Sequence, residues 1–336
     1  MKHVNVALFV PHLGCPHTCT FCNQRTISGQ TEPLSPGQIR AACETARACP
    51  HDAANSEIAF FGGSFTAIDR AEMIACLEAA KPYVGRDFGG IRVSTRPDAV
   101  DEEVLSVLKG YGVTAVELGA QSMDDAVLAL NERGHTAKDT ETACALVRKN
   151  GFSLGLQMMT GLYGSTPEKD LATAECFVKL APDTVRVYPT AVLEHTRLAD
   201  LWRQGEYVPP SLEDSVELCA KLLRLFRDNG VRVIRLGLHS GGNVEEGYLA
   251  GAYHPAFGEL CESRIRRGLL EEKLRDKPKG AYTVTVNEKD LSKTIGQKKS
   301  NLTYFRNRGY DLTVRTDGNL PKDTISITTA QENLCT

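Results

Sequence analysis

The stretch Gly-Cys-Pro-His-Thr-Cys-Thr-Phe-Cys at residues 14–22 holds three cysteines in a C-x3-C-x2-C arrangement, directly after the apolar run Val4–Val10. Three thiolates this close together can ligate three irons of a cubane cluster and leave the fourth iron open to a small ligand. A structural zinc ion normally needs a fourth protein ligand, which a neighbouring histidine could supply. We therefore predict a metal site at Cys15, Cys19 and Cys22, with an iron–sulfur cluster favoured over zinc.

Short apolar runs alternate with longer amphipathic segments through the first two-thirds of the chain, a pattern typical of βα units and a parallel sheet. The six predicted strands are Val4–Val10, Glu57–Phe61, Ile91–Thr95, Ala115–Gly119, Ser153–Met158 and Thr184–Val187. The cysteine loop follows the first strand, so it lies at the edge where barrel folds place their chemistry. We predict an α/β fold with a partial (β/α)6 TIM-like barrel over residues 1–236.

The composition is that of a soluble globular protein. The 336 residues include 39 Lys and Arg and 42 Asp and Glu, and the net charge of −3 gives no whole-chain argument for a polyanion partner. No stretch approaches the roughly 18 apolar residues of a membrane span, and the N-terminus lacks the pattern of a signal peptide. We expect a cytoplasmic protein with no membrane partner, whose eleven cysteines form no disulfide framework because the cytosol keeps thiols reduced.

The cysteine motif resembles that of the radical S-adenosylmethionine (SAM) superfamily, C-x3-C-x-aromatic-C, with Phe21 at the aromatic position. The resemblance implies a [4Fe-4S] cluster on the three cysteines and SAM as a cofactor that is cleaved reductively to a 5′-deoxyadenosyl radical. It also implies a reducing partner such as a flavodoxin or ferredoxin. Over about residues 3–236 the chain is most similar to the radical SAM domain of Elongator catalytic subunits, which modify wobble uridines in tRNA. No segment resembles their acetyltransferase domain, so acetyl-CoA is not expected.

Glycines and polar residues close the successive predicted strands, and glycine at a strand end lets a ligand approach the backbone closely. The resemblance assigns a cofactor-binding set to these positions: Phe21, Gly62, Gly63, Ser64, Arg96, Glu117, Gln121, Ser122, Arg133 and Gln157. Ser64 stands where the family usually has glutamate. The alternative for Arg96 and Glu117 is a structural salt bridge, and for Arg133 a solvated surface position.

Two further residues are candidate catalytic groups. Tyr188 ends the sixth predicted strand, in a Tyr-Pro-Thr segment similar to that of elongator-type enzymes. His254 lies in a post-barrel extension, residues 237–275, which is rich in glycine and aromatic residues and could close over a substrate. The alternatives are that Tyr188 is a core residue and that His254 only caps the open edge of the barrel.

Residues 281–320 are basic and follow a strand–helix–helix–strand pattern that resembles the KH modules of the bacterial transcription factor NusA. Between Asp276 and Lys322 there are ten Lys and Arg against five Asp and Glu. The G-x-x-G loop of such modules clamps a nucleic-acid backbone, which makes Gly296, Lys298 and Lys299 candidate RNA-binding residues, with Lys299 in place of the second glycine. The alternative is a degenerate module used for packing. Residues 323–336 are expected to fray.

The sequence thus predicts a radical SAM enzyme that carries one [4Fe-4S] cluster and modifies RNA, with tRNA the favoured substrate. One alternative is a radical SAM enzyme that acts on a small metabolite or a tetrapyrrole. The other is a non-enzymatic RNA-binding protein that retains a cluster for sensing or structure.

Overall fold

The computed structural model describes residues 4–10, 19–22, 32–238 and 242–329, and a seven-stranded parallel sheet forms its centre. In spatial order the strands are β1 (Asn5–Val10), β2 (Glu57–Gly62), β3 (Gly90–Thr95), β4 (Val113–Gln121), β5 (Ser153–Thr160), β6 (Thr184–Pro189) and β8 (Arg232–Leu236). All neighbouring strands run parallel. The predicted α/β partial barrel is confirmed, and β8 extends it by a seventh strand beside β6.

Eight helices connect these strands or follow them. They are α1 (Pro36–Arg47), α2 (Arg70–Ala80), α3 (Glu102–Gly110), α4 (Asp125–Leu130), α5 (Ala137–Lys149), α6 (Pro167–Leu180), α7 (Arg197–Arg203) and α8 (Leu212–Asp228). Each begins after a Ser, Thr or Asp whose side chain accepts a hydrogen bond from a first-turn N–H. Such caps satisfy donors that a helix start leaves without partners. In the described part of the chain, no helix is long and apolar enough to span a membrane.

Successive side chains of the strands face two different environments, because side chains alternate across a strand. On β2, Ile58 and Phe60 are fully buried in the apolar core that the sheet shares with helix residues such as Leu77 and Phe177. Phe61 faces the concave side of the curved sheet. This concave side, which we call the lumen, is left free for polar chemistry.

The segment after β6 forms a small antiparallel sheet of β7 (Ala191–Leu193) and β9 (Tyr248–Gly251), with α9 (Gly242–Gly247) before β9. It continues into α10 (Phe257–Leu274), an 18-residue helix that packs against α8. Helix α10 was not predicted from the sequence. Its buried face includes a serine and an arginine among apolar residues, and these polar residues hide the helical period of hydrophobicity.

The C-terminal module consists of β10 (Gly280–Val286), α11 (Leu291–Ile295), α12 (Ser300–Arg306), β11 (Tyr310–Thr316) and β12 (Ile325–Thr329). The predicted strand–helix–helix–strand order is present. The module's sheet has the order β11-β10-β12, with β11 parallel and β12 antiparallel to β10. The expectation that the chain frays from residue 323 is wrong for β12, which forms a paired strand beyond the predicted module end.

Helix α10 joins the module to the barrel. Leu270 belongs to the apolar core of the module, while the first half of the same helix packs into the barrel core. Arg266 is 1% exposed and forms an ion pair with Asp290, 2.8 Å from Nη2 to Oδ1. The amide of Asn301 donates to the carbonyl and the hydroxyl of Ser263, both at 3.0 Å. These directional contacts fix the module on the helix, because buried polar groups need their partners.

Candidate functional site

A cavity of about 350 Å³ opens in the lumen, around the carboxyl ends of the strands. Twelve of the residues predicted from sequence line it: Cys19, Phe21, Cys22, Gly62, Gly63, Ser64, Arg96, Glu117, Gln121, Arg133, Gln157 and Tyr188. The structure therefore brings together residues that lie up to 169 positions apart in the sequence. Cys15 falls outside the described residues.

Two residues predicted for the barrel site do not line this cavity. The hydroxyl of Ser122 accepts a hydrogen bond from the N–H of Asp124 at 3.1 Å and contacts Thr173 at 3.4 Å. Nδ1 of His254 accepts from the N–H of Ala256 at 3.0 Å, close to the start of α10. The His254 side chain thus holds the turn before α10, and its catalytic role stays a prediction.

The described part of the cysteine loop is held on two sides. The N–H of Cys22 donates to the carbonyl of Cys19 at 3.1 Å, which closes a tight turn. The hydroxyl of Thr20 donates to the Asn131 side chain at 2.8 Å. The backbone carbonyl of Thr20 accepts from the N–H of Leu198, also at 2.8 Å. Because these contacts come from distant parts of the barrel, the thiols of Cys19 and Cys22 are positioned by the fold.

The Gly62-Gly63 pair turns the chain at the end of β2. Gly62 has φ of 98°, a conformation that favours glycine. The N–H of Gly63 donates to the carbonyl of Val10 at 2.9 Å. Ser64, which follows, accepts from the N–H of Arg96 at 2.9 Å and contacts the hydroxyl of Thr95 at 3.0 Å. The serine hydroxyl therefore ties the ends of β2 and β3 together beside the cavity.

Arg96 is held by its own chain. Its Nε and Nη2 donate to the two carboxylate oxygens of Asp98, each at 2.9 Å, and Nη2 also donates to the carbonyl of Arg133. A bidentate pair of this kind fixes the plane of the guanidinium. These contacts match the salt-bridge alternative for Arg96, and a contact with SAM stays a prediction.

Arg133 contacts one of the cysteines directly. Its Nη1 donates to the sulfur of Cys19 at 3.0 Å, and its Nη2 donates to the carbonyl of Gly119 at 2.6 Å. Its Nε is buried and has no partner among the described residues. Cysteine binds metal as a thiolate, whose negative charge the guanidinium would balance, and an unpartnered buried donor suits an anionic group. The residues present thus fit a thiolate-bound cluster and a carboxylate such as that of SAM.

Gln121 ends β4 in a left-handed conformation, with φ of 68°. Its side-chain oxygen accepts from Nε2 of Gln157 at 3.3 Å, and the pairing of β4 with β5 shifts register between Leu118 and Gln121. Left-handed backbone at a residue other than glycine costs on the order of 1–3 kcal/mol and is common at ligand sites. A β-carbon at Gly119 would lie 3.0 Å from the Gln121 amide nitrogen, so the two residues are closely packed.

A charged network crosses the lumen beneath the cavity. Glu117 is 4% exposed and accepts from Arg92 at 3.1 Å and from Arg186 at 2.9 and 3.1 Å. Arg92 also donates to Glu57, from Nε to Oε2 at 2.8 Å. Across β2, β3, β4 and β6 the side chains of this network thus alternate in charge, and the two arginines pair with the Glu117 carboxylate. This geometry matches the structural alternative for Glu117.

Three lumen arginines were not predicted as site residues, namely Arg92, Arg186 and Arg235, although the last two line the cavity. Arg186 lies over the ring of Phe61, 4.9 Å from the centroid. A usable signal was present, because these arginines interrupt apolar runs that otherwise predict buried strands. A charge inside such a run indicates a lumen-facing position.

His135 lies two residues after Arg133 and is 4% exposed. Its Nε2 contacts the carbonyl of Ala120 at 3.2 Å, and its Nδ1 has no partner among the described residues. Burial, followed by the positive charge of Arg133, lowers the pKa of His135 to about 4. The imidazole is therefore neutral near pH 7 and supports the end of β4.

This low pKa predicts that stability depends on pH. The unfolded chain binds a proton at His135 below its ordinary pKa of about 6.5, whereas the folded chain does so only near pH 4. The free energy of unfolding should therefore fall as the pH falls from 6.5 to 4, by on the order of 2–3 kcal/mol from this residue. Urea unfolding of the unaltered chain and of His135→Gln at several pH values measures the effect, and the variant should show a flatter dependence.

His51→Gln is the matched control. Hydrogen bonds to the carbonyls of Asp87 and Cys49 raise the pKa of His51, so its contribution has the opposite sign. An unchanged pH dependence in His135→Gln would contradict the assignment.

The loop of the C-terminal module has an unusual backbone. Gly296, Lys298 and Lys299 have φ of 78°, 51° and 62°. A β-carbon at Gly296 would lie 2.5 Å from the Ser300 hydroxyl, so the close turn requires glycine. Both lysines are exposed. The turn therefore presents two adjacent cations at the surface in a strained conformation.

Comparison with known families gives two matches along the chain. The sequence model of the Radical SAM superfamily matches residues 9–177, and that of the Radical SAM C-terminal domain matches residues 182–267. The first match includes the cysteine loop and most of the cavity. The second runs from β6 to α10, across the domain boundary predicted at residue 236.

Curated relatives share the barrel. The tRNA uridine(34) acetyltransferase of Dehalococcoides mccartyi is 30% identical over 239 residues, which cover 61% of this chain and 52% of that protein. Elongator complex protein 3 of Mus musculus is 32% identical over 302 residues, which cover 80% of this chain and 54% of that protein. The chain thus spans about half the length of the curated relatives it matches.

Solved structures show the same fold. Archaeal Elp3 of Methanocaldococcus infernus, with an N-terminal deletion, superposes with a TM-score of 0.62 at 23% identity, covering 83% of this chain and 65% of that one. SuiB of Streptococcus suis superposes with a TM-score of 0.51 at 11% identity, covering 70% and 49% of the two chains. At these identities the likeness concerns the fold alone.

Proposed function

Because the chain belongs to the radical SAM superfamily, we propose that it is an enzyme that modifies RNA, specifically tRNA, by radical chemistry in the lumen cavity. The observation that carries the enzymatic part is the convergence of Cys19, Cys22, Arg133 and the Gly62-Gly63 turn on one cavity. The superfamily uses a [4Fe-4S] cluster and SAM, which together supply reductive SAM cleavage and hydrogen-atom abstraction when bound.

The chain's own residues have distinct proposed roles. Cys15, Cys19 and Cys22 ligate the cluster, and Arg133 places a positive charge beside it. Phe21 and the glycine turn shape the cofactor end of the cavity, together with Ser64, Gln121 and Gln157. Tyr188 is proposed to act at the substrate. A flavodoxin or ferredoxin is the proposed electron donor.

Two observations support RNA as substrate. Curated relatives that share the barrel carry the name tRNA uridine(34) acetyltransferase, over about half of their length. The exposed Lys298 and Lys299 occupy a tight glycine turn of the basic C-terminal module. Adjacent cations on a constrained turn suit phosphate contacts.

The test is tRNA binding and its salt dependence. Each phosphate contact contributes roughly 0.9 to the slope of log K against log salt. Lys298→Glu/Lys299→Glu should therefore weaken tRNA binding at low salt at least about tenfold and reduce that slope by about two. Filter binding over a series of salt concentrations measures both quantities, and tRNA should also stimulate 5′-deoxyadenosine formation by the reconstituted chain.

Lys138→Glu/Lys179→Glu is the matched control, because it makes the same change in net charge on exposed barrel helices. If both double variants weaken tRNA binding equally, the effect is one of net charge, and the proposed contact between the Lys298–Lys299 loop and tRNA is contradicted. If the unaltered chain binds no tRNA at low salt but still cleaves SAM, a small-molecule substrate becomes the better interpretation.

A further inference from the structure

The described lining of the lumen cavity has an excess of positive charge. It contains four arginines and one carboxylate, namely Arg96, Arg133, Arg186, Arg235 and Glu117. A cleft lined by one sign of charge concentrates ligands of the opposite sign.

Three of these arginines have assigned contacts. Arg96 is paired with Asp98, and Arg186 makes a bidentate pair with Glu117 at 2.9 and 3.1 Å. Arg133 lies at the cofactor end, where it donates to a cysteine sulfur. None of these three is available as the principal counter-charge for a substrate.

Arg235 differs from the other three. It lies on β8, the last strand of the sheet, and is the register partner of Arg186 on β6. Within the described residues, its guanidinium makes one hydrogen bond, from Nε to the carbonyl of Gly237 at 3.0 Å. No acidic side chain of the described residues pairs with it. Arg186 and Arg235 thus lie side by side on neighbouring strands. The one carboxylate of the cavity lining, Glu117, already forms an ion pair with Arg186.

We propose that Arg235 binds a phosphate group of the substrate inside the lumen cavity. Its hydrogen bond through Nε leaves the Nη groups to donate to an oxyanion, and a guanidinium fork matches phosphate geometry. Arg235 lies on β8, at one edge of the sheet, whereas Arg133 follows β4, which lies in the middle of the sheet. The inference rests on the proposed function for the source of the phosphate, which is the RNA backbone at the modified nucleotide.

Equilibrium binding of small probes tests the proposal. Isothermal titration of the anaerobically reconstituted chain with uridine, uridine 5′-monophosphate and the dinucleotide UpU separates the base, a phosphate monoester and a backbone diester. The unaltered chain should bind the two phosphorylated probes about tenfold more tightly than uridine, as expected for hydrogen bonds to a charged group. Arg235→Gln should abolish this preference, and Arg235→Lys should retain part of it.

Arg232→Gln is the matched control, because Arg232 lies on the same strand but is exposed and outside the cavity lining. It should keep the full preference. Equal affinity for uridine and its phosphates, or a preference that survives in Arg235→Gln, overturns the proposal. If phosphorylated probes are preferred through Arg235 but the chain does not process tRNA, only the proposed function is overturned. If tRNA stimulates SAM cleavage but phosphorylated probes are not preferred over uridine, only the present inference is overturned.

Discussion

Replacement of Cys19 by alanine is expected to remove nearly all cluster binding and to reduce SAM cleavage below detection. A cluster of this kind needs all three thiolates, because the fourth iron is reserved for the small ligand. Cys19 is 5% exposed and is positioned by the turn to Cys22 and by the contacts of Thr20. Apart from Cys22, no other cysteine of the described residues lines the cavity. SAM cleavage should therefore be lost completely in Cys19→Ala.

Iron and sulfide content after anaerobic reconstitution is the first measurement, with about four irons per unaltered chain expected. Formation of 5′-deoxyadenosine from SAM under dithionite is the second. Cys49→Ala is the control, because Cys49 is exposed and does not line the cavity. Retention of stoichiometric iron in Cys19→Ala, or bound zinc in the unaltered chain, would contradict the cluster assignment.

The fold of the barrel was predictable because its strands are short apolar runs between amphipathic helices. All six predicted strands occur, and their ends bring the expected loops to one edge. Strand β8 was not assigned to the sheet, since its run resembles any apolar segment and only its pairing with β6 reveals its place. Helix α10 and strand β12 were not predicted, because one buries Arg266 and the other contains several polar residues. Tertiary contacts determine whether α10 and β12 form.

The site was predictable where a motif falls at a strand end, as with Cys19, Gly62 and Arg133. It was not predictable where a side chain's role depends on its partners across the lumen. Arg96 and Glu117 look like ligand-binding groups in the sequence, and the structure shows that both also form ion pairs within the chain. Only three-dimensional contacts could identify Arg235 as the lumen arginine with the fewest partners.

Glu117→Gln is expected to have the largest effect on stability in the lumen. The substitution keeps the shape of the side chain but removes the charge that Arg92 and Arg186 share, and both arginine side chains are largely buried, 8% and 15% exposed. Loss of one partner of a buried ion pair costs about 3–5 kcal/mol, because the remaining charge is desolvated and unpaired. Urea unfolding should show this decrease as a shift of the midpoint.

Glu103→Gln provides the comparison, since Glu103 pairs with Arg70 at 3.0 Å while its side chain is 83% exposed. Exposed pairs contribute little to stability. The difference in unfolding free energy between the two variants therefore measures the effect of burying the ion pair. The double variant Glu117→Gln/Arg186→Gln should recover part of the loss, because it removes the arginine that the single change leaves without its carboxylate. If Glu117→Gln unfolds at the same urea concentration as the unaltered chain but binds SAM more weakly, then Glu117 contacts the cofactor and the network beneath the cavity is not what holds the lumen together.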